Sequence, residues 1–288
     1  MFTVYMDDSG TNNQARIISG AYCVSYVREW KSFERRWNMV GAIAGFKYFH
    51  MTEFAGCRPE EWCRDCRKGK MTAIQHPWRN WTQHKRDMVL GQLAQLINTY
   101  SLSGLGISIA KKDYDDLVLN SELKDLAGDA LGYLHYTYTV QLCGGHLEKW
   151  RTRRKVTKPM KYVFDTTDDL SQRNEIAALF IASATKRDAR RRYGFAPTGY
   201  AFESRKDVVQ LLSADMLAYV AAKKRASDEF GHPLNHEANI AGGIFLSKDK
   251  LSIGKVERHQ LQDWAEREIA DRKAKLERTA NGKKSRIR

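Results

Sequence analysis

Phe2-Thr3-Val4-Tyr5-Met6-Asp7-Asp8-Ser9-Gly10-Thr11 decides how the rest of the chain is read. Phe2, Val4 and Met6 alternate with Thr3, Tyr5 and Asp7, and strand side chains point to opposite faces at every second residue. The stretch therefore predicts a strand that ends in acid. Asp8 to Asn13 supplies turn formers and Ala15 to Tyr26 is a second β-prone run, so the two form a hairpin. Asp7 and Asp8 admit two readings here: they shape the turn, or they are working carboxylates at a sheet end.

A later stretch repeats this design. Met160-Lys161-Tyr162-Val163-Phe164-Asp165 closes on a carboxylate and leads through Thr166 to Asp169 into a helix predicted from Ser171 to Arg192. If the two strands lie side by side and parallel, Asp7 and Asp165 share one sheet end, about 4.8 Å apart from strand to strand. A third acid comes from a helix predicted over Asp207 to Arg225. Its apolar stripe of Val208, Leu211, Leu212, Met216, Leu217, Tyr219 and Ala222 carries Asp215 on the buried face. An ionised carboxylate there costs on the order of several kcal/mol unless it is paired, hydrogen-bonded, protonated or metal-bound. A salt bridge or a backbone hydrogen bond is the structural explanation. A shared ion is the functional one: three clustered carboxylates raise one another's pKa, and Mg²⁺ or Mn²⁺ relieves the repulsion while activating water at a phosphodiester.

Between these acids, Val27 to Ala44 places Trp30, Phe33, Trp37, Val40 and Ile43 on one helical face. Lys47 to Phe54 is a short apolar segment that carries His50 and Glu53, two groups able to bind metal or move a proton, or simply to lie on the surface. Asn80 to Tyr100 reads as a helix with Met88, Leu90, Leu93, Leu96 and Ile97 inward, and Gly104 to Ala110 as a third strand. A long helical run is expected from Asp115 to Arg154, broken near Gly144-Gly145. Tyr200 to Ser204 is a short strand, and Lys250 to Ile253 a last strand or loop. Glu257 to Ala280 forms a charged helix, and 281–288 a basic disordered tail.

Lys and Arg number 48 against 34 Asp and Glu, a net charge of +14 that favours a polyanionic partner such as RNA or DNA. Arg151, Arg153 and Arg154, with Lys186, Arg187, Arg190 and Arg191, form two basic helix ends that read either as a phosphate track or as solvated termini. No apolar run approaches a membrane span and the start lacks a signal-peptide pattern, so a cytoplasmic protein without membrane contact is expected. Five cysteines without secretory context argue against a disulfide framework. Residues 55–82 look like a Cys-rich insertion, in which Cys57, Cys63, Cys66 and His76 have a spacing that admits a structural Zn²⁺. Three reduced thiols are the alternative.

Tyr5-Met6-Asp7-Asp8-Ser9-Gly10-Thr11, Phe49-His50-Met51-Thr52-Glu53, Val163-Phe164-Asp165 and Gln210 to Tyr219 together resemble the successive motifs of domain-of-unknown-function family 3800, common in bacteria and their phages. The resemblance spans roughly Phe2 to Arg225. It implies an α/β, ribonuclease H-like domain over 1–254, with a mixed sheet of antiparallel first strands and parallel later ones and helices on both faces. It also implies a two-metal nuclease using Mg²⁺ or Mn²⁺, with Asp7, Asp165 and Asp215 as ligands. Asp8 stands where family members usually carry Glu and joins the metal candidates; Glu53 is the candidate fourth acid and His50 a proton carrier. An inactive nucleic-acid-binding or protein-interaction module of the same shape, acting in phage and host conflict, is the alternative expectation.

Overall fold

The computed structural model describes residues 1–10, 15–56, 77–127, 134–166, 170–186 and 193–284. The fold is α/β, with six strands in the order β5-β4-β1-β2-β3-β6: β1 Phe2–Ser9, β2 Ile17–Tyr26, β3 Ser103–Ala110, β4 Met160–Asp165, β5 Phe195–Glu203 and β6 Leu251–Val256. β1, β2 and β3 form an antiparallel meander, whereas β4 runs parallel to β1, β5 to β4 and β6 to β3. In register, Phe2 lies opposite Met160 and Met6 opposite Phe164, so Asp7 and Asp165 are each the next residue on their strands.

The helices are α1 Val27–Ala44, α2 Met51–Gly56, α3 Gln83–Tyr100, α4 Lys111–Tyr114, α5 Glu122–Ala127, α6 His135–Arg153, α7 Leu170–Thr185, α8 Leu211–Phe230, α9 His236–Phe245 and α10 Arg258–Lys284. They cover both faces of the sheet. Tyr5, Ala21, Cys23 and Val163 join α1, α3, α8 and α9 in one core. Phe2, Val4, Met6, Tyr22, Tyr162 and Phe164 pack on α6 and α7 in another. A third, of Ile18, Ile109, Tyr138, Leu261 and Ala265, seats α10. Two glycines permit the close approach of the central helices. A Cβ on Gly106 would stand 2.7 Å from the Leu217 carbonyl of α8, and one on Gly20 would stand 2.5 Å from Thr139 Oγ1 of α6. Ser19 then hooks α8 to β2 by donating from Oγ to the Ala218 carbonyl at 2.9 Å.

Several sequence expectations need correction. β1 continues through Asp7 and Asp8 to Ser9, because both acids stay in register with β2 (Asp7 opposite Ala21, Asp8 opposite Gly20). Ile43 and Met88 are exposed; their helices turn Gly41, Ala44 and Val89 inward instead. The run from Asp115 to Arg154 is not one helix: a π turn over Asp115–Leu119 and the short α5 precede α6. α6 passes through Gly144-Gly145 unbroken, its packing outweighing the roughly 1 kcal/mol that a helical glycine costs. α8 begins at Leu211 rather than Asp207, since turn bonds such as Asp207 N–H to the Ser204 carbonyl at 2.9 Å hold the chain before it. It ends at Gly231, whose φ of 66° suits glycine. α9 was not foreseen, Lys250 to Ile253 belongs to a true strand, and α10 extends to Lys284, into the stretch expected to be a tail. Cys57, Cys63, Cys66 and His76 lie outside the described residues, as do Arg187, Arg190, Arg191 and residues 285–288.

Candidate active site

β1 and β4 deliver Asp7 and Asp165 to one sheet end, and strand alternation turns both toward the face covered by α8. Asp215, in the second turn of α8, meets them there. All three are buried, and all three converge on a side chain the sequence reading missed: Arg205, two residues beyond β5. Its Nη2 pairs closely with Asp165 Oδ2, and its Nη1 lies 3.5 Å from both Asp7 Oδ2 and Asp215 Oδ1. The Arg205 backbone N–H also donates to Asp165 Oδ1 at 3.1 Å. Three carboxylates thus surround one guanidinium.

His50 and Glu53 approach from the other side. Phe49 is fully buried among Trp37, Phe46, Phe54 and Trp78, with ring centroids 5.0 to 6.0 Å away, and this anchors the segment. His50 Nε2 then lies 3.4 Å from Asp215 Oδ1, and its Nδ1 lies 3.2 Å from Glu53 Oε1. The Met51 N–H, opening α2, donates to Asp215 Oδ2 at 2.9 Å. Glu53 reaches the acids through His50 rather than directly. Asp8 points the other way along β1, toward Tyr136 of α6, whose phenol pKa is raised first by burial and then by the Asp8 charge. Its backbone N–H donates to Asp7 Oδ1 at 2.8 Å.

The electrostatics follow from this placement. Burial pushes the Asp7 carboxyl well above the usual carboxylate range; Arg205 opposes the rise, and the charges of Asp215, Asp165 and Asp8 add to it. Burial likewise raises Asp165 against the pull of Arg205. Burial acts on Asp215 too, but His50, Arg205 and the Met51 N–H outweigh it and hold that carboxyl low. Burial would lower His50; the charge and hydrogen bond of Asp215, with Glu53, overcome it and push the imidazole up to about 10. Asp7 Oδ2 is buried without a hydrogen-bond partner, since its contact with Arg205 is an ion pair by distance only. Among the described residues, no set of three or more His, Cys, Asp or Glu side chains stands close enough to grip one metal ion as the side chains lie.

The described basic candidates lie elsewhere. α6 ends just before β4 begins, so Arg153 and Arg154 sit at the opposite end of the sheet from the acids, about 17 Å away along β4. There they line a polar cavity with His146, Asp249 and Lys250. α7 runs back between the parallel strands β4 and β5, so Lys186 is exposed at that same far end. Arg151 is buried, and a Cβ on Gly194 would stand 2.5 Å from its guanidinium carbon, so its side chain packs beside that glycine. Cys23 and Cys143 are buried free thiols. Burial pushes the first up to about 11 and raises the second further, which leaves both chemically quiet.

The acids open onto a cleft of about 690 Å³ bounded by Gly10, Arg16, His50, Arg205, Lys223 and Phe230, among others. The sequence shows a cation, Arg205, just past the expected strand at Tyr200 to Ser204, but its place beside Asp165 depends on β5 pairing with β4. Comparison with protein-family models, curated proteins and solved structures returns no match. Among the described residues, no helix is long and apolar enough to cross a membrane.

Proposed function

We propose that the protein is a divalent-cation-dependent nuclease of ribonuclease H-like fold that hydrolyses phosphodiester bonds of RNA or DNA. One observation carries this reading: Asp7, Asp165 and Asp215, remote in sequence, converge on a single point already occupied by positive charge. The antiparallel β1-β2-β3 meander, with β4 and β5 parallel to β1, supports the ribonuclease H-like assignment.

The donor set suits Mg²⁺ or Mn²⁺: three carboxylates, one of which presents a buried oxygen without a hydrogen-bond partner. Asp7, Asp165 and Asp215 would hold the cation, which when bound polarises a phosphoryl oxygen and lowers the pKa of a water. Arg205 keeps the carboxylates together here, and a cation held by them would leave its guanidinium free for the cleft. There its planar fork matches a phosphate. His50, oriented by Glu53 and Asp215, is placed to give a proton to a departing oxygen. Met51 N–H fixes the Asp215 carboxylate for both roles.

The same Arg205 contacts favour a second reading, in which the guanidinium is a permanent counter-ion and the domain binds nucleic acid without chemistry. Labelled RNA and DNA incubated with Mn²⁺, Mg²⁺ or EDTA decide between them. Cleavage that requires the metal and disappears in Asp7→Asn supports the nuclease. Absence of both turnover and metal uptake, with salt-sensitive binding retained, supports the module; metal-independent cleavage contradicts the nuclease mechanism.

A further inference from the structure

One face of α8 leads away from the carboxylates in a continuous line. Asp215, Tyr219, Ala222, Lys223, Ala226 and Phe230 follow at helical steps of three and four, and all of them line the cleft. The character of the line changes along its length. At Asp215 it is buried and acidic; Ala222 and Ala226 leave a shallow floor, and Lys223 and Phe230 stand exposed. From the opposite wall, at the start of the strand that pairs with β1, Arg16 lays its guanidinium over the Phe230 ring, 5.3 Å from the centroid. The His232 ring is 6.4 Å from Phe230 on the far side of the helix cap. Lys223 Nζ is 5.3 Å from the Tyr219 ring centre. Planar and cationic groups therefore stand together beside the cluster: imidazole, phenyl and guanidinium at the far end of α8, then an ammonium about two turns closer to the acids.

We propose that this wall is the substrate subsite and that it selects single-stranded nucleic acid, a proposal that rests on the nuclease reading for its position beside the acids. Two needs have to be met by anything lying there. It must be anionic, to match Arg16 and Lys223, and it must offer flat apolar faces, to pack beside the Phe230 and His232 rings and the Arg16 guanidinium. An unpaired strand meets both, with phosphates on the two cations and a base against the aromatic group. A duplex hides its base faces inside the helix and offers only its phosphates. From Asp215 to Phe230 the helix rises about 22 Å, the length of about six stacked nucleotides. A strand anchored at Phe230 thus reaches the carboxylates with its backbone. The net charge of +14 supplies the long-range attraction, and this wall supplies the choice.

The test is binding in EDTA, which separates recognition from hydrolysis. Fluorescence anisotropy of a labelled 12-nucleotide single strand is compared with its duplex and with a polyglutamate competitor, for the wild type, Phe230→Ala and the double variant Arg16→Ala/Lys223→Ala. Phe230 and Lys223 are exposed, and Arg16 is a surface side chain, so the variants fold. The expected results are tighter binding of the single strand than of the duplex and a loss of about 5- to 150-fold in Phe230→Ala with the salt dependence kept. The double variant lowers the slope of log K against log salt by about 1.4. Equal or tighter binding of duplex, displacement by polyglutamate at matching charge concentration, or an unchanged Phe230→Ala would overturn the proposal. These outcomes stand apart from the nuclease reading. If the variants behave as expected but Mn²⁺ gives no turnover, the subsite stands and the hydrolysis fails; if turnover is seen and the variants bind like wild type, the reverse holds.

Discussion

Replacing Arg205 by methionine removes the guanidinium that Asp7, Asp165 and Asp215 share while keeping an unbranched side chain of similar reach. The Arg205 side chain is 24% exposed and the three carboxylates are nearly inaccessible, so little solvent screening is available to them. Breaking a buried ion pair typically costs about 3 to 5 kcal/mol because the remaining charge is left uncompensated. The cost should depend on pH. Asp7 and Asp165 already have raised pKa values in the folded protein, and losing Arg205 raises them further. The folded state then binds more protons than the unfolded chain above the ordinary carboxylate range, and stability falls as pH rises through that window. Urea denaturation followed by tryptophan fluorescence at pH 5 and pH 8 reads this directly, with the loss in Arg205→Met largest at pH 8. Added Mn²⁺ should restore stability to the variant, by about 2.7 kcal/mol at one hundred times the dissociation constant. A variant as stable as wild type at pH 8, or a loss equal at both pH values and untouched by Mn²⁺, would refute the shared counter-ion argument.

Further expectations concern the neighbours of that cluster. His50 has a pKa raised to about 10, so its contribution to stability is fully present below about pH 6.5 and is lost as pH rises toward 10. His50→Gln should flatten that part of the stability profile by on the order of a few kcal/mol, and an unchanged profile would show that His50 is not held between Asp215 and Glu53. Phe49→Ala leaves a cavity among four aromatic rings beside His50; it should cost about 3 to 5 kcal/mol by urea denaturation and reduce turnover as well. Asp7→Asn should lower metal-dependent cleavage by about 10²- to 10³-fold while leaving strand binding in EDTA intact, measured on the same labelled substrates.

The parts of this site that were legible in the sequence are those set by short-range rules. A strand of period two closing on Asp is visible twice, and a helical stripe shows that Asp215 faces inward whatever it packs against. What periodicity does not carry is which strands lie side by side. The parallel pairing of β1 with β4 is settled by long-range packing, and the β6 pairing with β3 lies beyond any local pattern. Arg205 escaped because its meaning depends on β5 being next to β4 and on the turn after Glu203 aiming it back across the sheet end. The basic helix ends pose the opposite case. Charge is easily counted, but it does not show that Arg153, Arg154 and Lys186 stand at the sheet end away from the acids, while Arg187, Arg190 and Arg191 lie outside the described residues. Arg16, an isolated cation, and Lys223, at the start of the short run Lys223-Lys224-Arg225, join Arg205 in the cleft.

If the three carboxylates form a cation site, Arg205 fills it until a divalent ion arrives. Crystals soaked in Mn²⁺ and measured at its absorption edge test this most directly. Anomalous density touching the oxygens of Asp7, Asp165 and Asp215, with the Arg205 guanidinium moved into the cleft, is the predicted result. A guanidinium still seated among the three acids at high Mn²⁺, with no density between them, would contradict it.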